Sequence, residues 1–128
     1  MPDRAVVTTS AAPSALGPYS QGIIHGDVLY CSGTLPLDPA TGELVTSSAG
    51  AETTRCLKNL DAVCQAAGTA LSKALRLTVF VTDLAAFEEI NAAYEQAFTG
   101  DPPARVTVEV AALPKGAGVE IDAIVALR

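Results

Sequence analysis

The feature that most constrains this chain's fold is the way its apolar residues change spacing, between the two-residue repeat of a strand and the roughly 3.6-residue repeat of a helix. From Ser48 to Ala67 the positions Leu57, Leu60, Val63, Cys64 and Ala67 keep helical spacing, with Arg55, Lys58, Asp61 and Gln65 mostly elsewhere and Gly68 at the stop. Leu75, Leu77, Val79 and Val81 then alternate with Arg76, Thr78 and Phe80 as a strand. A second helix, capped by Asp83, is predicted to turn Leu84, Phe87, Ile90, Tyr94, Ala97 and Phe98 inward and to end at Gly100-Asp101-Pro102-Pro103. Two strands close the chain: Val106, Val108 and Val110 alternate with Arg105, Thr107 and Glu109, and Val119, Ile121, Ala123, Val125 and Leu127 with Glu120 and Asp122.

Ahead of the first helix, Ser20 to Cys31 reads as two strands around Gly26-Asp27, a pair suited to a two-residue hairpin because Gly accepts positive φ. That turn fixes the register: His25 opposes Val28, Ile24 opposes Leu29, Gln21 opposes Ser32, and the Gly17-Pro18-Tyr19-Ser20 turn folds beside Ser32-Gly33. A weak strand near Arg4 to Thr8 precedes it. The order β-β-β-α-β-α-β-β predicts an α+β fold, a six-stranded sheet with both helices on one face, in a single domain over residues 1–128. If the valine face of the strand from Arg105 packs on the helices, then Arg105, Thr107, Glu120 and Asp122 share the opposite face, either solvated or at a subunit contact.

Composition bears on what covers that face. The chain is 49% hydrophobic and 17% charged, against a usual charged share of about 25%, which favours a homo-oligomer with clefts between subunits. With 8 Lys and Arg against 14 Asp and Glu, the net charge of −6 argues against nucleic acid or an acidic membrane as the main partner. No apolar run approaches the roughly 18 residues of a membrane span, and Met1-Pro2-Asp3-Arg4-Ala5 opens no signal-peptide apolar region, so a cytoplasmic chain is expected. Cys56 and Cys64 would lie about 12 Å apart along a helix, too far to bridge, and three reduced thiols fit that compartment. One histidine and no Cys-x-x-Cys pair leave the usual zinc arrangements unassembled, so no metal is expected.

A cation and carboxylates beside the backbone of glycine turns are the equipment for a small carboxylated ligand. Arg105 follows Pro102-Pro103-Ala104, which stiffens the start of its strand; it is either a fork for bidentate carboxylate binding or a surface arginine paired to Glu109 or a neighbouring strand. Glu120 is a general base for water or a solvated strand carboxylate. Tyr19 is a pocket wall or a tyrosine bordering the core. His25 reads as an exposed turn residue, Cys56 and Cys64 as core, Cys31 as lying near the proposed pocket, and Glu88, Glu89 and Glu95 as a solvated helix face. Asn91 is expected to satisfy backbone groups.

Ala15-Leu16-Gly17-Pro18-Tyr19-Ser20-Gln21 and Tyr30-Cys31-Ser32-Gly33-Thr34-Leu35-Pro36-Leu37-Asp38-Pro39, with Thr41-Gly42-Glu43, resemble the two N-terminal signatures of the RidA/YjgF family of imine deaminases. Asn59-Leu60 with Ala67-Gly68, Thr78-Val79-Phe80-Val81 with Asp83-Leu84, Asn91 with Tyr94 and Phe98, Pro103-Ala104-Arg105 through Val108-Glu109-Val110, Leu113-Pro114 and Val119-Glu120-Ile121 continue the likeness to the C-terminus. The resemblance implies a homotrimer of α+β subunits, each a mixed six-stranded sheet with two helices on one face in the chorismate-mutase-like manner. It implies a small 2-imino or 2-keto acid bound in each cleft between neighbours, and hydrolytic deamination without a cofactor. Carried over, Arg105 holds the substrate carboxylate, Glu120 activates water, Tyr19 lines the pocket, and Ser32 with the Gly33 backbone completes it. Where the family usually has Ser-Cys or Ser-Thr after its arginine, this chain has Val106-Thr107; Thr107 keeps a ligand-binding hydroxyl, and Thr34 stands where many relatives have Gln. A noncatalytic, keto-acid-binding regulatory trimer is the alternative to a deaminase. A ribonuclease or translation inhibitor, functions attached to some relatives, has little physical support in a chain of this charge.

Overall fold

A computed structural model describes residues 3–128. The strands are β1 (Ala5–Val7), β2 (Gly22–His25), β3 (Val28–Thr34), β4 (Ala74–Val81), β5 (Ala104–Glu109) and β6 (Val119–Ala126); the helices are α1 (Ala49–Ala66) and α2 (Phe87–Ala97). They form one mixed sheet in the order β1-β2-β3-β6-β4-β5, antiparallel throughout except for the parallel pair β4 and β5. The β2–β3 hairpin has the register its turn dictates, with His25 opposite Val28 and Ile24 opposite Leu29, and Gly26 takes the positive φ of 60° that the turn requires.

The Ser48 hydroxyl caps α1 by accepting from the Ala51 N–H at 3.0 Å, supplying an acceptor to an amide without a helical partner. Leu57, Leu60, Val63 and Cys64 of α1 pack with Ile90 and Tyr94 of α2 on the sheet face formed by Leu29, Cys31, Leu77, Val79, Val81, Val119, Ile121, Ala123 and Val125. Each large aliphatic side chain buried there contributes roughly 1.5–3 kcal/mol, so this layer contact holds the helices down. No helix among the described residues is long and apolar enough to cross a membrane.

Four inward assignments are corrected. A bulge between Ala74 and Arg76 pushes Leu75 out of the alternation, leaving it 50% exposed. Before α2, the chain makes a 3₁₀ turn over Leu84–Ala86, whose three-residue repeat takes Leu84 off the core side; Phe87 opens α2 on the face of Tyr94 but over the edge strand β5, where it is 39% exposed, and Ala97 at the last turn is exposed as well.

The larger correction concerns β5. Its parallel register sets Arg105 beside Leu77 and Thr107 beside Val79, which turns Arg105 and Thr107 toward the helices. Val106 and Val108 face the uncovered side, 39% and 36% exposed. Glu120 and Asp122 pair with Phe80 and Thr78 and lie on that uncovered side too. Both faces of β5 carry residues able to meet a partner surface, so hydrophobicity could not set its parity, whereas the backbone register does.

Candidate functional site

The structure gathers the candidate residues in two separate clusters. The first surrounds the end of β3, where Cys31 pairs with Ala123 and Thr34 with Ile121. Ser32 and Gly33 therefore both stand opposite the single residue Asp122, as in a β-bulge. The preceding segment is strapped across this bulge by Gln21, whose Oε1 accepts from the Thr9 N–H at 2.7 Å and whose Nε2 donates to the Thr9 and Pro13 carbonyls at 3.0 and 2.8 Å. The Ser32 hydroxyl donates to the Ser20 carbonyl at 2.6 Å, and the Tyr19 hydroxyl accepts from the Leu16 N–H at 3.0 Å. Tyr19, Ser32 and Gly33 thus gather beside one another, as the hairpin register requires. They line a cavity of only about 40 Å³ together with Ser14, Ala15 and Leu16.

Glu120 reaches this cluster from β6. Its carboxylate lies so close over Gly33 that a Cβ there would collide with it, so the glycine is required by close approach. Burial, reinforced by Asp122 nearby, raises the Glu120 carboxyl above its ordinary pKa. Thr34 is also at this end, its carbonyl accepting from the buried Cys56 thiol at 3.4 Å. That thiol is pushed well up by burial first and by Glu52 and Glu120 next, which leaves it protonated and inert. Cys31, expected near the pocket, is buried in the core, where its thiol and then burial raise Cys64.

The second cluster lies on the helix side of the sheet edge. Phe87, Asn91, Tyr94 and Phe98 recur along one face of α2 above β5, and the Arg105 Cζ sits 4.8 Å from the Tyr94 ring centroid and 5.6 Å from that of Phe87. Asn91, Tyr94, Glu95, Phe98, Pro103 and Arg105 line an open groove of about 540 Å³. Glu109, the neighbour that could have paired with Arg105, instead accepts from the Leu84 N–H at 2.9 Å. Among the described residues Arg105 is in no ion pair; the pair present is Arg128 with Asp27 at 3.2 Å. Three buried polar atoms also lack partners among the described residues: Asn91 Oδ1, Tyr94 OH and Thr107 Oγ1. Asn91 therefore does not satisfy backbone groups as expected. That task falls to Asn59, whose Nδ2 donates to the Leu35 and Leu37 carbonyls at 3.1 and 2.9 Å.

Arg105 and Glu120 do not meet within one chain. They project from opposite faces, and β4 lies between their strands, which sets the backbones about 10 Å apart across the sheet. The Phe87 and Tyr94 rings beside Arg105 were missed as site components because their helical spacing read as core. The register of β5, the signal that places them at the site, is a tertiary property.

Residues 9–127 match the family model described as Endoribonuclease L-PSP. The chain is 52% identical over 121 residues to the RutC family protein y4sK of Sinorhizobium fredii, covering 94% of this chain and 96% of that protein. It is 39% identical over 121 residues to the human 2-iminobutanoate/2-iminopropanoate deaminase, covering 94% of this chain and 88% of that one. The crystal structure of the YjgF gene product of E. coli superposes with a TM-score of 0.93 at 41% identity, covering 97% of this chain and 99% of that one.

Proposed function

Since the chain belongs to the RidA/YjgF family, that of the matched Endoribonuclease L-PSP model, we propose that it hydrolyses small 2-imino acids or their enamine tautomers to 2-keto acids and ammonia, at sites between the subunits of a homotrimer. The name of the human relative, a 2-iminobutanoate/2-iminopropanoate deaminase, supports that substrate class. The observation that carries the reading is the Arg105 guanidinium, which lies beside an open groove and has no carboxylate among the described residues as ion-pair partner.

Each chain presents half a site on each side of its sheet. The cavity at Gly33 is too small for a substrate, and the Arg105 groove, whose one carboxylate is that of the exposed Glu95, does not include Glu120, so a complete site joins the groove of one subunit to the Gly33–Glu120 patch of the next. There the planar fork of Arg105 binds the substrate carboxylate bidentately, while Tyr19, Ser32, the Gly33 backbone and Thr107 border the remainder. An imine carbon is already electrophilic, so what remains is to orient it and to take a proton from the attacking water. Glu120 takes that proton as the C–O bond forms; the C=N π electrons move to nitrogen, which is protonated, giving a carbinolamine. As the hydroxyl proton leaves, the C=O bond forms and the C–N bond breaks, releasing ammonia and the 2-keto acid. Water is the only co-reactant, so the reaction calls on no cofactor or metal. The raised pKa of Glu120 moves its basicity closer to neutral pH, where a general base is most effective.

The family model's description names an endoribonuclease, but a net charge of −6 opposes the grip on a phosphodiester backbone that such an activity needs. The test is to generate 2-iminobutanoate with an amino-acid oxidase and to follow its decay with and without the protein. Decay is expected to accelerate in proportion to protein concentration. Binding of a 2-keto acid with unaccelerated decay would replace the enzyme by a noncatalytic regulatory trimer.

A further inference from the structure

We propose that Phe87 and Tyr94 form an aromatic clamp that presets the Arg105 guanidinium for a carboxylate ligand, so that both act as positioning residues. The role rests on the imino-acid reading above, since the clamp serves the same site. Arginine is long and flexible, and its usual restraint in proteins is a carboxylate, which would occupy the N–H fork a ligand needs. Here the restraint is of another kind. The two rings lie 4.8 and 5.6 Å from Arg105 Cζ, within the range over which an aromatic face attracts a cation. Ring faces hold the guanidinium without neutralising it and leave its in-plane donors free.

The sequence builds the clamp from one helix face. Phe87 and Tyr94 are two turns apart on α2, and the register of β5 brings Arg105 under them. Tyr94 is itself braced by Phe98, whose ring centroid is 4.8 Å away at a 43° tilt. The Tyr94 hydroxyl has no partner among the described residues, so the side chain is not anchored through its oxygen; the ring is what contacts the cation. Phe87 is 39% exposed, more than a core phenylalanine would be, and its position over Arg105 accounts for an aromatic residue at that surface.

The test uses the full chain and does not depend on turnover. A guanidinium over aromatic faces has its side-chain proton resonances moved upfield by ring currents, and the Arg105 signals are identified by their loss in Arg105→Lys. The wild type should show them upfield. Phe87→Leu should move them toward ordinary arginine values and weaken pyruvate binding by calorimetry about tenfold, the scale of a partly desolvated cation–π contact. In imine hydrolysis the same variant should raise KM far more than it changes kcat. Phe87→Tyr and Tyr94→Phe, which keep the rings, should keep both the shift and the affinity. Wild-type signals and affinity in Phe87→Leu would overturn the clamp. So would a loss in Tyr94→Phe equal to that in Phe87→Leu, because it would give the role to the hydroxyl. If pyruvate fails to bind the wild type, the imino-acid reading falls, and the Arg105 resonances still decide the clamp: upfield and relieved in Phe87→Leu supports it, unshifted sinks it.

Discussion

Gly33 and Glu120 constrain each other. The carboxylate lies against the glycine backbone where no Cβ fits, and the partial burial that results raises its pKa, with Asp122 adding to the effect. A carboxyl raised in the folded state binds a proton more readily than in the unfolded chain. Its cost to folding is thus absent below the ordinary carboxylate range and appears as pH climbs from there toward the raised value. Glu120→Gln removes that titration, so urea midpoints measured at one protein concentration should decline less for the variant than for the wild type across that window. In the proposed reaction the same group must be deprotonated. The acid limb of kcat/KM should therefore lie above the ordinary carboxylate range, and the variant should lose the limb together with roughly 10²- to 10⁴-fold in rate. A limb at the ordinary value, or one that survives in the variant, would remove Glu120 as the base.

Among the elements, α1 does more than cover the sheet, because its buried Asn59 ties the chain after β3 to the helix. The amide donates to the carbonyls of Leu35 and Leu37 while its oxygen accepts from Arg55 Nε and Nη2 at 3.1 and 2.9 Å. Leu35 and Leu37 form a small second core with Ala117. Asn59→Leu leaves the Leu37 carbonyl without a donor, at about 1–3 kcal/mol, while the Leu35 carbonyl keeps the Leu37 N–H at 2.8 Å. The urea midpoint should fall by the equivalent of about 1–3 kcal/mol, with proteolytic cleavage between residues 38 and 47 rising in parallel; a stability unchanged within error would show that Asn59 is not what holds this segment. The helix itself was legible in the sequence, since Leu57, Leu60, Val63 and Cys64 repeat at helical spacing. The β2–β3 register was legible too, because Gly26-Asp27 leaves one turn geometry. The facing of β5 was not: Val106 and Val108 read as core by alternation, yet no helix covers them. Their exposure and the placement of Arg105 follow from a parallel pairing with β4, 28 residues away in sequence, that local pattern does not encode. For the same reason the sequence could single out Arg105 and Glu120 as candidates, while their separation onto two faces was not legible.

At the scale of the whole molecule, the uncovered sheet face carries Tyr30, Phe80, Val106, Val108 and Ile124 around Glu120 and Asp122. An exposed apolar face of this kind is suited to burial against another copy of the chain. In a cyclic trimer the contact is head-to-tail, so each of the three interfaces takes one half-site from either neighbour. That geometry predicts complementation between two inactive chains. Arg105→Ala keeps Glu120, and Glu120→Gln keeps Arg105. When the two are co-refolded in equal amounts, an interface that receives the intact arginine from one variant and the intact glutamate from the other should arise in about a quarter of cases, by random assortment around the ring. Imine hydrolysis should recover to about that fraction of the wild-type rate, although each variant alone lies near the spontaneous rate. If Arg105 and Glu120 served a site within a single chain, every chain in the mixture would lack one of them and no activity would return. Mixed trimers verified by native mass spectrometry and still inactive would therefore refute the shared site, leaving the opposite placement of the two residues without a catalytic meaning.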